Sequence, residues 1–103
     1  KKNMNIKYEY HDVTASDRLE SFTEKKLETI FTRYEFVIRA DVFFKTENTS
    51  SDETGMKCGI RLSAPGPRLF AESSKENFEH AVSETTDELL RQLKKRKEKM
   101  KNY

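Results

Sequence analysis

The stretch "MKCGIRLSAPGPRLFAES" (Met56–Ser73) contains two segments of alternating polarity separated by a turn. Within residues 56–64, every second residue is apolar: Cys58, Ile60 and Leu62. This alternation is typical of a strand with one buried face. The "PGP" at 65–67 predicts a tight turn, and "RLFAES" at 68–73 predicts a further strand. The stretch therefore predicts an antiparallel hairpin, around which the rest of the chain can be arranged.

Two earlier segments have the same alternating pattern. "IRADVFFKTE" (Ile38–Glu47) places Ala40, Val42 and Phe44 on one face, and the polar loop "NTSSDETG" at 48–55 joins it to the hairpin. Near the start of the chain, "MNIKYEY" at 4–10 alternates in the same way. Both segments predict strands with one buried face, which gives four strands in all.

Two segments have helical spacing instead. In the first, at 12–36, the apolar residues Leu19, Phe22, Leu27 and Ile30 recur at helical intervals, and either Thr14 or Ser16 can cap the helix. The second begins near 74–77 and continues without Gly or Pro to the C-terminal region. Its apolar face comprises Phe78, Val82, Thr85, Leu89, Leu93 and Met100.

The element order β-α-β-β-β-α predicts an α+β fold with a four-stranded mixed sheet. A helical crossover makes the first two strands parallel, and short connections make the others antiparallel. Because each helix has one apolar stripe, both should pack on the same face of the sheet. The residues expected on the open face are Lys7, Asp41, Phe43, Lys45, Lys57, Arg61, Arg68 and Phe70.

The length of 103 residues predicts one domain, 1–103, with a modest core enriched in aromatic residues, seven Phe and four Tyr. Residues 1–3, which precede Met4, are expected to be disordered or foreign to the natural chain.

No segment approaches the roughly 18 apolar residues of a membrane span. The single cysteine, Cys58, predicts a reducing compartment and so a cytoplasmic protein.

Charge is distributed unevenly along the chain. The segment 91–103 holds seven of the 20 basic residues and one acid, giving +6, whereas residues 1–90 carry −4. A helix of about 25 residues rises about 37 Å, more than the roughly 20 Å of a short strand. The segment 91–103 is therefore predicted to be a basic overhang beyond the sheet. Such a segment can simply be a solvated helix end, where one or two cations complement the helix dipole. Like charges four residues apart in a helix repel, however, which favours an anionic partner.

Lys26 falls within the apolar stripe of the first helix, next to Lys25. Its stem can cover the core while its ammonium reaches solvent, or the ammonium can lie between the helices and face the same partner as the overhang. A membrane-binding helix would need bulky apolar residues opposite its basic face, and beyond Leu93 only Met100 qualifies. Nucleic acid, read through its phosphate backbone, fits the pattern better.

The sequence offers few candidates for a catalytic or metal-binding site. His11 and His80 have no metal-ligand partner at recognisable spacing, and Cys58 is expected to be a core thiol. No glycine-rich phosphate loop is present. We therefore predict no enzymatic activity, no cofactor, no metal site and no small-molecule substrate.

Three segments in this order of elements carry a family resemblance: "ADVFFKTEN" (40–48), "LFAES" (69–73) and "RQLKKRKEK" (91–99). From about residue 6 to 101, the chain resembles the ribosome hibernation promoting factor family, which includes the ribosome-associated translation inhibitor. The resemblance implies a double-stranded-RNA-binding-like fold on the small ribosomal subunit and its rRNA. It also implies that the protein occludes mRNA and tRNA at the decoding centre and catalyses no reaction.

The resemblance also implies a set of RNA-binding residues. Those matched by position are Lys26, Arg91, Gln92, Lys95, Lys97 and Lys99; charge alone adds Lys25, Lys94 and Arg96. The chain departs from the family at the start of the last helix, where Asn77-Phe78-Glu79 replaces Asp-Met-Tyr, and at Ser83, where an acid is typical. Because it ends after that helix, it resembles the short form, which we expect to be monomeric when free.

Two other interpretations remain open from the sequence. The open face of the sheet can bind RNA by stacking bases on Phe43 and Phe70, although Asp41, Glu47 and Glu72 on that face argue against it. The second open interpretation is a regulatory protein that binds only other proteins. A small phosphatase-like enzyme is disfavoured, because it would need an anion-binding loop and a final strand that the sequence lacks.

Overall fold

The computed structural model describes residues 5–50 and 54–100, with the side chain of Met100 excepted. Its elements are β1 (Ile6–His11), α1 (Asp17–Arg33), β2 (Arg39–Thr46), β3 (Met56–Ser63), β4 (Leu69–Lys75) and α2 (Phe78–Met100). This order confirms the predicted β-α-β-β-β-α arrangement. The predictions made for residues 1–3, Met4, Lys101 and the side chain of Met100 fall outside the described part.

The four strands form one mixed sheet in the order β1-β2-β3-β4. β1 is parallel to β2, and the other two pairs are antiparallel, as the connections predict. Val42 lies opposite Ile60, which in turn lies opposite Ala71, so apolar side chains form rows across one face. These residues are buried, and they join both helices in a single core cluster.

Helix α1 is capped by Ser16, which resolves the choice that the sequence left open. The Ser16 hydroxyl accepts a hydrogen bond from the backbone N–H of Leu19 at 3.2 Å, which satisfies a donor at the helix start. Leu27 and Ile30 are fully buried as predicted. The sequence pattern placed Phe22 on the buried face, but Phe22 is only half-buried, and Thr23 beside it is buried. Burial of Thr23 is tolerated because its hydroxyl donates a hydrogen bond to the Leu19 carbonyl oxygen at 2.8 Å and so is not left unpaired in the core.

Helix α2 begins at Phe78, directly after the range 74–77 in which the sequence pattern predicts its start. Ser74 and Lys75 extend β4, where Lys75 pairs with Met56. The side-chain oxygen of Asn77 accepts from the backbone N–H of His80 at 2.7 Å, so the helix starts after a capping asparagine. The predicted apolar face is buried at Val82, Thr85, Leu89 and Leu93. The helix therefore lies on β3 and β4.

Candidate nucleic-acid interface

The two helices end on the same side of the molecule. Tyr34 is the C-cap residue of α1, and the ammonium nitrogen of Lys97 in α2 lies 5.8 Å from the centroid of its ring. At that distance a cation is attracted by the aromatic face. The basic segment of α2 is thus tied to the end of α1. Nothing in the sequence spacing links Tyr34 with Lys97, so this contact could not be predicted.

Four predicted RNA-binding lysines form one exposed group on α2, which we call the helix-end surface. Its members are Lys94, Lys95, Lys97 and Lys99. None of them forms an ion pair with a carboxylate within residues 5–50 and 54–99. None of the four is therefore held in a salt bridge by the described parts of the chain. An exposed cluster of this kind attracts a polyanion and raises its rate of association.

Arg91 and Gln92 belong to a different environment, although the resemblance groups them with the lysines. The guanidinium of Arg91 donates to Oε1 of Glu88 at 2.9 and 3.0 Å. The amide of Gln92 donates to Oε2 of Glu88 at 3.2 Å and to the carbonyl oxygen of Phe70 at 3.0 Å. These hydrogen bonds lower the pKa of the Glu88 carboxyl. Arg91 is exposed, but its charge is already partly neutralised.

Arg96 is directed back toward the sheet. Its guanidinium donates to the carbonyl oxygens of Pro65 at 2.8 Å and Pro67 at 2.7 Å, both in the β3–β4 connection. Leu93, one turn earlier, is fully buried. The predicted overhang begins at residue 91, yet the structure ties α2 to the sheet through residue 96. Within the described part of α2, Arg96 is the last residue that hydrogen-bonds to the β3–β4 connection.

Lys25 and Lys26 are both exposed on α1. The ammonium of Lys26 lies 5.7 Å from the ring centroid of Phe22, one turn earlier in the same helix. Lys26 therefore lies at the border of the apolar stripe, with its stem over the core and its charge accessible. From Lys26 to the end of α1 at Arg33 the helix rises about 10 Å, so Lys25 and Lys26 lie about two turns before the helix end at which Tyr34 contacts Lys97.

The candidate catalytic residues do not come together. His11 and His80 lie at the surface, with side chains 54% and 44% exposed. Cys58 is fully buried, and burial raises the pKa of its thiol to about 12, so the predicted core thiol is confirmed. Among the described residues, no three His, Cys, Asp or Glu side chains are grouped so that they could hold a metal ion. Neither helix in the described part is long and apolar enough to cross a membrane.

Comparison with known proteins gives the family. The profile described as "Sigma 54 modulation protein / S30EA ribosomal protein" matches residues 6–101. A ribosomal subunit interface protein from Coxiella burnetii is 22% identical, with a TM-score of 0.77 over 91% of this chain and 98% of that one.

The N-terminal domain of Thermus thermophilus Protein Y is 23% identical, with a TM-score of 0.75 over 89% of this chain and 98% of that one. A search of curated proteins gave no match. Since the family profile spans nearly the whole sequence, the resemblance seen in the sequence is confirmed, and the chain belongs to the Sigma 54 modulation protein / S30EA ribosomal protein family.

Proposed function

We propose that this protein is a ribosome-binding translation inhibitor. It docks on the small subunit at the decoding-centre channel, contacts rRNA phosphates and keeps mRNA and tRNA out by occupying their space. It catalyses no reaction and needs no cofactor. It acts in the cytoplasm, where ribosomes are found, and it is a monomer when free.

The observation that carries this proposal is the helix-end surface. Four lysines without ion-pair partners in the described residues are exposed in the last turns of α2, in a chain of the S30EA ribosomal protein family. Lysines that meet phosphates recognise the shape and charge of the backbone rather than base sequence. Folded rRNA offers a dense array of phosphates, which suits such a surface.

Co-sedimentation is the direct test. The protein should sediment with isolated small subunits and vacant ribosomes, and mRNA together with initiator tRNA should displace it. If about five phosphates are contacted, the logarithm of the affinity should fall with the logarithm of salt at a slope of about −3.5 to −4.5. Recovery with the large subunit alone, or an affinity that salt does not change, would contradict the proposal.

A charge-reversal variant tests the surface itself. Lys95→Glu, Lys97→Glu and Lys99→Glu together should abolish repression of cell-free peptide synthesis. The matched control reverses Arg18, Lys45 and Lys75, three cations at the opposite end of the molecule, and should repress like the unaltered protein. Equal repression by both triple variants would exclude the helix-end surface as the site of contact.

A further inference from the structure

The open face of the sheet has a second group of cations, at the end where α2 terminates. A shallow basin of about 310 Å³ lies there, lined by Lys7, Glu9, Arg39, Asp41, Arg61, Ser63 and Arg68. Strand register explains the grouping: Lys7 lies opposite Asp41, Asp41 opposite Arg61, and Arg61 opposite Phe70. Side chains at these positions share one face of the sheet. We call this region the sheet basin. Its four cations are Lys7, Arg39, Arg61 and Arg68.

Most of the acidic residues on this face are paired locally. Asp41 accepts two hydrogen bonds from Arg39, at 2.9 and 3.1 Å. Farther along the face, Lys57 contacts Glu47 at 3.5 Å and Glu72 at 3.1 Å. The three carboxylates that argued against this face in the sequence are therefore already engaged by neighbouring cations.

Three cations of the sheet basin remain available. Lys7, Arg61 and Arg68 are exposed and form no ion pair with a carboxylate of the described residues. Glu9, the remaining acid of the basin, lies 3.8 Å from His11 instead. With four cations against the carboxylates of Glu9 and Asp41, the basin carries net positive charge and can attract an anion.

The basin adjoins the helix-end surface through the β3–β4 connection. Arg68 directly follows Pro67, whose carbonyl oxygen is bound by Arg96 of α2. Cations thus lie on both sides of the sheet at one end of the molecule. Beside the basin, Phe70 is 39% exposed, and the guanidinium of Arg61 lies 5.9 Å from its ring centroid.

We propose that the sheet basin is a second RNA-binding surface, which holds the phosphodiester backbone of an RNA strand through Lys7, Arg61 and Arg68. The protein then contacts RNA on two sides, through the helix-end surface and through the sheet basin. Guanidinium groups suit this partner because they bind phosphate oxygens in a bidentate way. The inference rests on the proposed function, since the RNA in question is small-subunit rRNA.

The test compares two double variants in binding to isolated small subunits over a series of salt concentrations. Arg61→Gln/Arg68→Gln removes two basin cations, and Arg18→Gln/Lys45→Gln removes two exposed cations at the opposite end. The basin variant should bind about tenfold more weakly or worse, with a salt slope shallower by about 1.4 to 1.8. The control should keep both the affinity and the slope of the unaltered protein.

The outcomes separate this inference from the proposed function. If the unaltered protein binds small subunits and the basin variant binds with equal affinity and slope, the sheet basin is not an RNA surface, whereas the proposed function stands. If both double variants weaken binding equally, the effect is one of net charge and the inference fails. If the unaltered protein does not bind small subunits, the proposed function fails, and this inference fails with it.

Discussion

Arg96 binds both proline carbonyls of the β3–β4 connection, donating to Pro65 at 2.8 Å and to Pro67 at 2.7 Å. Between them Gly66 has a φ of +93°, which side-chain-bearing residues rarely adopt. A Cβ placed there would lie 3.2 Å from an Arg96 nitrogen. A turn that needs glycine and an arginine that fills the turn therefore fix the C-terminal part of α2 against the sheet.

Replacing Arg96 with lysine should loosen that attachment. An ammonium cannot reproduce the two directed hydrogen bonds of the guanidinium, so we expect a loss of about 1 kcal/mol in the free energy of unfolding. Amide hydrogen exchange should quicken after Leu93. Arg91→Lys is the control, because the hydrogen bonds of Arg91 to described residues are to Glu88 of its own helix, and it should change stability little. Equal effects of the two substitutions would show that the carbonyl contacts do not anchor the helix.

Repulsion between the lysines of the helix-end surface should lower the stability of the free protein. Lys95 and Lys99 lie four residues apart on α2, and like charges at that spacing repel. Lys95→Gln should therefore raise the free energy of unfolding by about a few tenths of a kcal/mol at low salt, while weakening binding to small subunits. The gain should fade at high ionic strength because salt screens exposed charges. A variant that loses both stability and binding would contradict this account.

The Cys58 thiol should be inert in the folded protein. Burial raises its pKa to about 12, and only the thiolate reacts readily with disulfide reagents. At pH 8 an aromatic disulfide reagent should therefore modify native protein very slowly, and urea-unfolded protein quickly, with one thiol per chain. Rapid modification under native conditions would mean that the core around Cys58 opens.

Gly59 and Phe43 should be energetically coupled. A Cβ at Gly59 would lie 2.1 Å from the ring of Phe43, which stacks on Phe70 with centroids 6.4 Å apart. Gly59→Ala should destabilise the protein, because the new methyl group displaces the ring of Phe43. In a Phe43→Ala background that clash is gone, and the same substitution should stabilise the protein because alanine is more favourable than glycine within a strand. Thermal unfolding of the four proteins measures the coupling. The same sign in both backgrounds would exclude a steric origin.

Tyr10 should make stability sensitive to alkaline pH. Burial, and then its 2.6 Å hydrogen bond to Glu20, raise the pKa of Tyr10 from 10.0 to about 12. Above pH 10 the unfolded chain loses a proton that the folded protein retains, so stability falls as the pH rises toward 12. Tyr10→Phe should be less stable at pH 8 by about 1 kcal/mol, and the difference should shrink between pH 10 and 12. Parallel stability profiles would contradict this assignment.

The strands and helices were predictable because their signals are local. Cys58, Ile60 and Leu62 mark one face of a strand, and the proline-flanked turn at 65–67 marks its end. Boundaries were harder where two local signals compete. Ser74 and Lys75 suit a helix start as well as a strand, and pairing with β3 decides for the strand.

The candidate interface was predictable only as a region of charge. Whether a cation is available depends on partners far along the chain, such as Phe70, 22 residues before Gln92, and Pro67, 29 residues before Arg96. No sequence spacing encodes these contacts, so a lysine without a salt bridge in the described residues, such as Lys94, and an arginine bound to backbone carbonyls, such as Arg96, look alike in the sequence. The cationic row around Arg61 likewise emerges only from strand register.

The hydrogen bond from Gln92 to Phe70 also affects how the fold meets other chains. β4 is the last strand of the sheet, and an outer strand with free backbone groups is a template for a strand from another molecule. Because the Gln92 amide occupies the carbonyl oxygen of Phe70, an incoming strand would have to displace it before pairing there. The same residue that fastens α2 is therefore expected to disfavour intermolecular β-sheet pairing at this position of the edge.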